Sequence, residues 1–315
     1  MRGKDLRSKI IAILGYGSQG RAIALNLRDS GYDVVIGLRS RSKSRRQARR
    51  DTFQQIHTVP RAVAEADIVC FAFPDHLHGR VYKRDIEKSL TAHSTLWFLH
   101  GLSIHFRFVV PPEDCDVILI APHAPGGAVR EKFLSKSSFS AFYAVFQDKS
   151  DKARKTALEL ARAIGINKKE LVPTTFEAEA LGDLFGEQAV LCGGMAALIK
   201  NGFEVLVENG IPPENAYLEV AYQLDLIIDL VKKYGLEGMF KRISVAARYG
   251  SLLAGPKIID KSVKKRMEKV FHGIQSGRFP LRLNELTDSD ISRINRTLKS
   301  LSTPLFERAV KKFSK

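Results

Sequence analysis

Cysteine is scarce. Cys70, Cys115 and Cys192 are the three in 315 residues, too few and too widely spaced for a disulfide framework or a zinc site. Each sits in or beside an apolar run, so the expectation is small buried thiols in a reduced, cytoplasmic protein. No uninterrupted run of 18 apolar residues occurs, which argues against a membrane span or a membrane partner. The segment Met1 to Ile11 is charged and too short to include the apolar centre of a secretion signal ahead of a first strand. Repeats at solenoid periods are missing, as are zinc-finger spacing, an RNP-like aromatic motif and a clear helix-turn-helix. Nucleic acid is therefore not the expected partner.

Positive charge, by contrast, is in excess. Fifty Lys and Arg stand against 34 Asp and Glu, a net charge of +16 that would attract phosphate-rich or carboxylate ligands. The excess is partly local. Arg39, Arg41, Lys43, Arg45, Arg46, Arg49 and Arg50 crowd one segment, and Lys261, Lys264, Lys265, Arg266 and Lys269 another. The second run has helical spacing and reads as a solvated face. With 44 % apolar residues, the chain is ordinary globular material, long enough for two cores.

Alternating signals open the chain. Ile10 to Leu14 reads as a strand, runs into a glycine-rich turn, and is followed by a helical pattern through Ala22, Ile23, Leu25 and Leu27. Asp33 to Leu38, Ile68 to Phe73, Thr95 to Leu99, Val117 to Ala121 and Ser140 to Phe146 are further strand candidates, with helical segments such as Asp151 to Ala163 between them. That alternation predicts an α/β domain with a mostly parallel sheet. After Pro173 the chain reads as helices: Glu177 to Leu184, Glu187 to Asn209, Pro213 to Tyr234, and weaker ones from Val245 onward. The predicted domains are 1–174 and 175–315.

Gly15-Tyr16-Gly17-Ser18-Gln19-Gly20 follows a strand and opens a helix, the context a dinucleotide fingerprint requires. Gly15 permits the turn, Gly17 lets a pyrophosphate approach, and Gly20 packs helix on strand. The plain alternative is a structural glycine turn. NAD sites usually place a carboxylate at the end of the second strand for the ribose diol. Here that position holds Leu38-Arg39-Ser40-Arg41-Ser42-Lys43-Ser44. Arg39 offers a guanidinium fork, and Ser42 and Ser44 offer hydroxyls to a 2′-phosphate, so NADP(H) is expected rather than NAD. Arg45, Arg46 and Arg49 either add positive field or form a solvated helix face. Asp75, His76, Leu77 and His78, after the Ile68 to Phe73 strand, form either a second cofactor edge or a surface loop.

Glu179, Asp183 and Glu187 recur every four residues, on one face if helix continues through Gly182 and Gly186. Such a concentration of acids suits Mg²⁺, which prefers oxygen ligands. A solvated acidic stripe is the alternative. Glu219 and Gln223 form another pair four residues apart.

In its motifs the chain resembles ketol-acid reductoisomerases. The glycine turn, Gly37-Leu38-Arg39-Ser40, His100-Gly101-Leu102-Ser103-Ile104-His105, Ala121-Pro122-His123-Ala124-Pro125-Gly126 and Asp183-Leu184-Phe185-Gly186-Glu187-Gln188 occur in that family's order, from residue 10 to about 275. The resemblance implies a Rossmann-like NADP-binding domain followed by an all-helical, knotted domain. It also implies NADPH and two Mg²⁺ ions acting on 2-acetolactate-type 2-hydroxy-3-keto acids. Alkyl migration and reduction would give 2,3-dihydroxy acids in branched-chain amino-acid synthesis. Asp183 and Glu187 match metal ligands, and Glu219 matches an acid from the partner subunit of a homodimer or higher homo-oligomer. Ser244 matches a substrate-carboxylate serine and His100 an active-site histidine. Tyr16 to Gln19, Arg39, Ser42, Ser44, Asp75 to His78 and Gly126 match cofactor contacts.

Three positions depart from the family pattern. Gln223 replaces a glutamate, His123 replaces a lysine, and Arg248 replaces a glutamate near the substrate serine. Glutamine supplies no carboxylate charge, and a histidine's charge is less secure near neutral pH. Two alternatives to a full reductoisomerase stand beside it, the first motivated by these departures and the second by the net charge of +16. One is an NADPH-dependent 2-keto acid reductase that has lost isomerisation, and the other a basic nucleotide- or nucleic-acid-binding protein on the same scaffold.

Overall fold

The computed structural model describes residues 6–314, so the opening residues of the charged Met1 to Ile11 segment lie outside the described residues. Eight strands form one sheet in the order β3-β2-β1-β4-β5-β6-β7-β8. These are β1 (Ile10–Leu14), β2 (Asp33–Gly37), β3 (Ile56–His57), β4 (Ile68–Phe71), β5 (Thr95–Phe98), β6 (Asp116–Pro122), β7 (Ala141–Gln147) and β8 (Leu171–Pro173). All neighbours pair in parallel except β6 and β7. The strand order turns at β1, flanked by β2 and β4, which opens a crevice beyond their carboxyl ends.

Both faces of the sheet are covered, which explains the near-continuous apolar strands. Along β1, Ile11 and Ile13 enter one core with Ile36, Cys70 and Trp97. Ala12 and Leu14 enter the other with Val35, Phe71 and Phe98. Trp97 and Phe98 are fully buried on opposite faces, and burying a large side chain of this kind contributes roughly 1.5–3 kcal/mol. Two strands escape the sequence pattern. β3 and β8 are edge pieces of two and three residues, too short to alternate.

From residue 176 onward the described residues contain helices and no strand. The longest continuous helical run, Phe176–Glu208, includes a π-turn at Glu187–Leu191. It is long and apolar enough to cross a membrane by length and composition alone, and little of its most apolar 18-residue stretch is buried by the chain itself. It also carries Glu179, Asp183 and Glu187, which a lipid-facing helix would have to neutralise.

The chain divides into a first compact unit ending at Gly182 that includes Pro280–Glu285, and a second unit of Asp183–Phe279 and Leu286 onward. The division falls inside the helix Phe176–Gly186, beyond the 174/175 boundary read from the sequence. Phe176, Ala180 and Leu181 are buried, and Phe176 packs edge-on to Phe98 at 6.3 Å, so the start of this helix completes the sheet domain. The thiols also separate. Cys70 and Cys115 are buried as expected, but Cys192 is exposed, because it follows the π-turn in a stretch with few buried side chains.

Candidate cofactor and acid-residue sites

Beyond the carboxyl end of β1, Gly15 takes φ of +101° and lies against the Ala72 carbonyl, where any side chain would collide. Gly20 sits equally close to the Gly15 carbonyl, which brings the helix α1 (Ser18–Asp29) down on the strand. Gly17 differs, because a Cβ placed there would meet nothing within 4 Å. It caps α1 without a side-chain hydrogen bond, and no acid lies in the first turn. Free amides therefore point into open space at the positive end of a twelve-residue helix, a cradle suited to a pyrophosphate. Gln19 donates from Nε2 to the Ala124 carbonyl at 2.7 Å, while its buried Oε1 has no partner among the described residues. Gly126 packs against the Ser18–Gln19 backbone. The residues fit a dinucleotide.

Tyr16 contributes its backbone to the turn, but its ring is buried and turned away. Its hydroxyl donates to Asp51 Oδ2 at 2.9 Å, and Arg21 binds the same carboxylate at 2.6 and 2.8 Å. Arg21 and the Tyr16 hydroxyl hold Asp51 down at about 2, while burial, reinforced by Asp51, pushes the Tyr16 phenol up.

After β2, Arg39 and Arg41 are exposed and make no side-chain hydrogen bond or ion pair among the described residues, and Ser42 and Ser44 are half-buried. Asp75, His76 and Leu77 form one half-buried turn after β4. His78 is different, being 1 % exposed. Its Nε2 faces the Phe73 carbonyl at 2.9 Å and its Nδ1 faces Ser103 Oγ at 2.8 Å. A carbonyl only accepts, so Nε2 carries the proton and Nδ1 takes the Ser103 hydroxyl hydrogen. Burial lowers the His78 pKa and keeps this tautomer neutral. The ring thus braces two loops and does not face solvent. His123 is exposed, edge-on to Phe142, with Nδ1 3.2 Å from Ser140 Oγ.

His100 follows β5 at the same edge of the sheet as the glycine turn. Its Nδ1 lies 2.9 Å from Glu179 Oε2, and that oxygen also accepts the Gly101 N–H. Glu179 is 4 % exposed. Gly101 is required here, since a Cβ would lie 2.3 Å from the Phe176 carbonyl oxygen. From the sequence Glu179 read only as one acid of a stripe suited to Mg²⁺, or of a solvated acidic face. The missing signal was its contact with His100, 79 residues away.

In the second unit, Asp183 lies on the helix Phe176–Gly186 and Glu187 starts the π-turn that continues it. Both are exposed carboxylates, the hard oxygen donors that Mg²⁺ prefers. Glu219 and Gln223 are exposed, and Gln223 Nε2 donates to Glu219 Oε2 at 2.9 Å. Ser244 caps the helix Val245–Ile258, its Oγ accepting from the Ala247 N–H at 3.1 Å with its own hydrogen still to donate. Arg248 turns back to the Phe240 carbonyl at 2.9 Å, so its guanidinium caps the preceding helix. A cavity of about 630 Å³ in the first unit, lined by Ile104, His105, Arg107 and Phe146, holds none of the predicted residues.

A mostly parallel sheet whose strand order turns beside a glycine-rich turn and an uncapped helix N-terminus defines a dinucleotide-binding protein of the Rossmann type. The chain belongs to the ketol-acid reductoisomerase family. Residues 5–169 match the family model described as acetohydroxy acid isomeroreductase, NADPH-binding domain. Residues 176–312 match the one described as ketol-acid reductoisomerase, C-terminal domain. The chain is 43 % identical to the ketol-acid reductoisomerase (NADP(+)) of Pyrococcus abyssi (strain GE5 / Orsay), covering 98 % of this chain and 91 % of that one. Identity to the enzyme of the same name from Petrotoga mobilis (strain DSM 10674 / SJ95) is 47 %, over 87 % and 83 %. Among solved structures, an NADH-preferring ketol-acid reductoisomerase from an uncultured archean superposes with a TM-score of 0.91 at 38 % identity, covering 98 % and 96 %.

Proposed function

We propose that the protein is an NADPH- and Mg²⁺-dependent ketol-acid reductoisomerase. It would convert 2-acetolactate-type 2-hydroxy-3-keto acids into 2,3-dihydroxy acids for branched-chain amino-acid synthesis. The observation that carries this reading is the Glu179–His100 bond, which holds an imidazole at the sheet edge where the glycine turn would hold the cofactor. Asp183 follows Glu179 by one turn of the same helix, and Glu187 comes one turn later.

The α1 N-terminus would hold the pyrophosphate, and Arg39 with Ser42 and Ser44 the 2′-phosphate, with Asp75 to Leu77 and Gly126 nearby. The unpaired guanidinium of Arg39 supports preference for NADPH over NADH. Asp183, Glu187 and Glu219 would ligate Mg²⁺. Held there, Mg²⁺ would supply Lewis acidity toward the substrate's oxygens. Ser244 would donate its free hydroxyl hydrogen to the substrate carboxylate beside a helix N-terminus. Glu179 keeps His100 oriented and its Nδ1 proton in place.

The protein would work in the cytoplasm as a homodimer or higher homo-oligomer. Leu198, Val205, Leu226 and Leu253 are more than half exposed on helices of the second unit, more apolar surface than an isolated soluble unit leaves uncovered. Glu219 would then come from the partner subunit. Steady-state turnover with NADPH and Mg²⁺ tests the function, using 2-acetolactate and the already rearranged 3-hydroxy-3-methyl-2-oxobutanoate. Comparable rates are expected. Reduction of the rearranged acid alone would overturn the proposal in favour of a reductase lacking isomerisation.

A further inference from the structure

Within the basic run after β2, one guanidinium is spent on the protein's own backbone. Arg45 lies in the second position of the short helix α2 (Ser44–Arg50) and is half-buried. Its Nη2 donates to the Leu38 carbonyl at 3.1 Å and to the His57 carbonyl at 2.8 Å. Its Nη1 reaches the Ile56 carbonyl at 3.2 Å, and its Nε the Arg39 carbonyl at 3.0 Å. Four carbonyls from two chain segments thus converge on one planar group.

These carbonyls belong to β3 and to the loop between β2 and α2. The Arg39 carbonyl is held twice, by Arg45 and by the Ser42 N–H at 3.0 Å. His57 likewise accepts from both Arg45 and the Leu38 N–H. β3 is a two-residue edge strand with few ladder bonds of its own, so Arg45 ties it to the loop. The loop carries Arg39, Arg41, Ser42 and Ser44. Arg39 and Arg41 are exposed and unpaired among the described residues, while the neighbouring Arg45 is committed inward.

We propose that Arg45 is a positioning residue for cofactor specificity. It would fix the loop backbone so that Arg39 and the serines meet the 2′-phosphate, without itself touching the phosphate. This rests on the reading that the protein prefers NADPH. A guanidinium is required, because a lysine ammonium carries the same charge but cannot span carbonyls on both sides of a planar fork.

The test is fluorescence titration of NADPH and NADH into the purified protein and its R45K and R45M variants, with melting temperature recorded for each. The native protein is expected to bind NADPH more tightly. Both variants should raise the NADPH Kd at least tenfold and the NADH Kd less than threefold. Native-like NADPH binding by R45K would show that charge alone matters and overturn the proposal. An equal loss for NADPH and NADH would reduce Arg45 to general support, and no change in either would remove its role. Preference of the native protein for NADH would instead sink the cofactor reading, and this inference with it.

Discussion

Tyr16 and Asp51, 35 residues apart in the chain, are joined by a 2.9 Å hydrogen bond that ties the glycine-rich turn to the residue just after α2. The Tyr16 backbone belongs to the phosphate cradle, and α2 follows the loop that carries Arg39. One carboxylate therefore braces two parts of the expected cofactor site. Its interaction with Arg21 and Tyr16 keeps it ionised to about pH 2.

Acid stability should report this bond. The folded-state value lies below an unfolded value of about 3.9, so the stabilisation is fully present above that value and is lost as pH falls through about 2. The upper bound is roughly 2–3 kcal/mol, less what solvent screening removes. Urea unfolding of D51N and the native protein should show the native advantage at pH 6 and little of it near pH 2. A gap independent of pH would mean that the ionised carboxylate is not its source.

Glu179→Gln should leave the fold intact, because an amide oxygen can still accept from Gly101 and His100, but it removes the charge. The expected result is a kcat lower by roughly 10²-fold, with NADPH affinity changed by less than twofold. Full activity in E179Q would show that the carboxylate's charge is not needed beside His100.

Gly126→Ala tests the close approach behind the cofactor turn. Its Cβ would stand 2.2 Å from the Ser18 carbonyl carbon and 2.5 Å from the Gln19 nitrogen, both backbone atoms that cannot swing aside. Overpacking of this kind costs about 1–3 kcal/mol. The melting temperature should fall, with NADPH Kd rising about tenfold for a comparable cost. Unchanged melting and binding would show that the α1 turn moves freely.

Assembly is the fourth expectation. Leu198, 55 % exposed, lies on the helix Gly193–Glu208. L198E should shift sedimentation equilibrium toward monomer and abolish turnover, with NADPH binding retained because the cofactor residues lie in the first unit. A native protein that is monomeric and fully active at working concentration would contradict the shared site.

The parallel sheet was legible because its strands are buried on both faces and read as apolar runs. The glycine turn was legible because Gly15, Gly17 and Gly20 each answer a separate steric demand. β3 and β8 were not, being too short for any period. Arg45 was equally opaque. In the sequence it read as added positive field or a solvated helix face, and only the fold brings the carbonyls of Ile56 and His57 to it. His78 stood in a motif that implied cofactor contact, whereas burial gave its ring a bracing task between Phe73 and Ser103. Glu179 acquired meaning from a partner 79 residues away, which no local pattern encodes.

The uneven burial of the three thiols has a practical consequence. Burial pushes the Cys70 thiol well above its ordinary pKa and, with Asp114 and Asp116 nearby, the Cys115 thiol up to about 11, so neither forms thiolate readily at neutral pH. Cys192 is left as the accessible thiol, in the same helical run as Asp183 and Glu187. A maleimide dye would therefore mark each chain once without mutagenesis. If a second copy covers that run, the labelling rate becomes a clock for subunit exchange, readable with no substrate present.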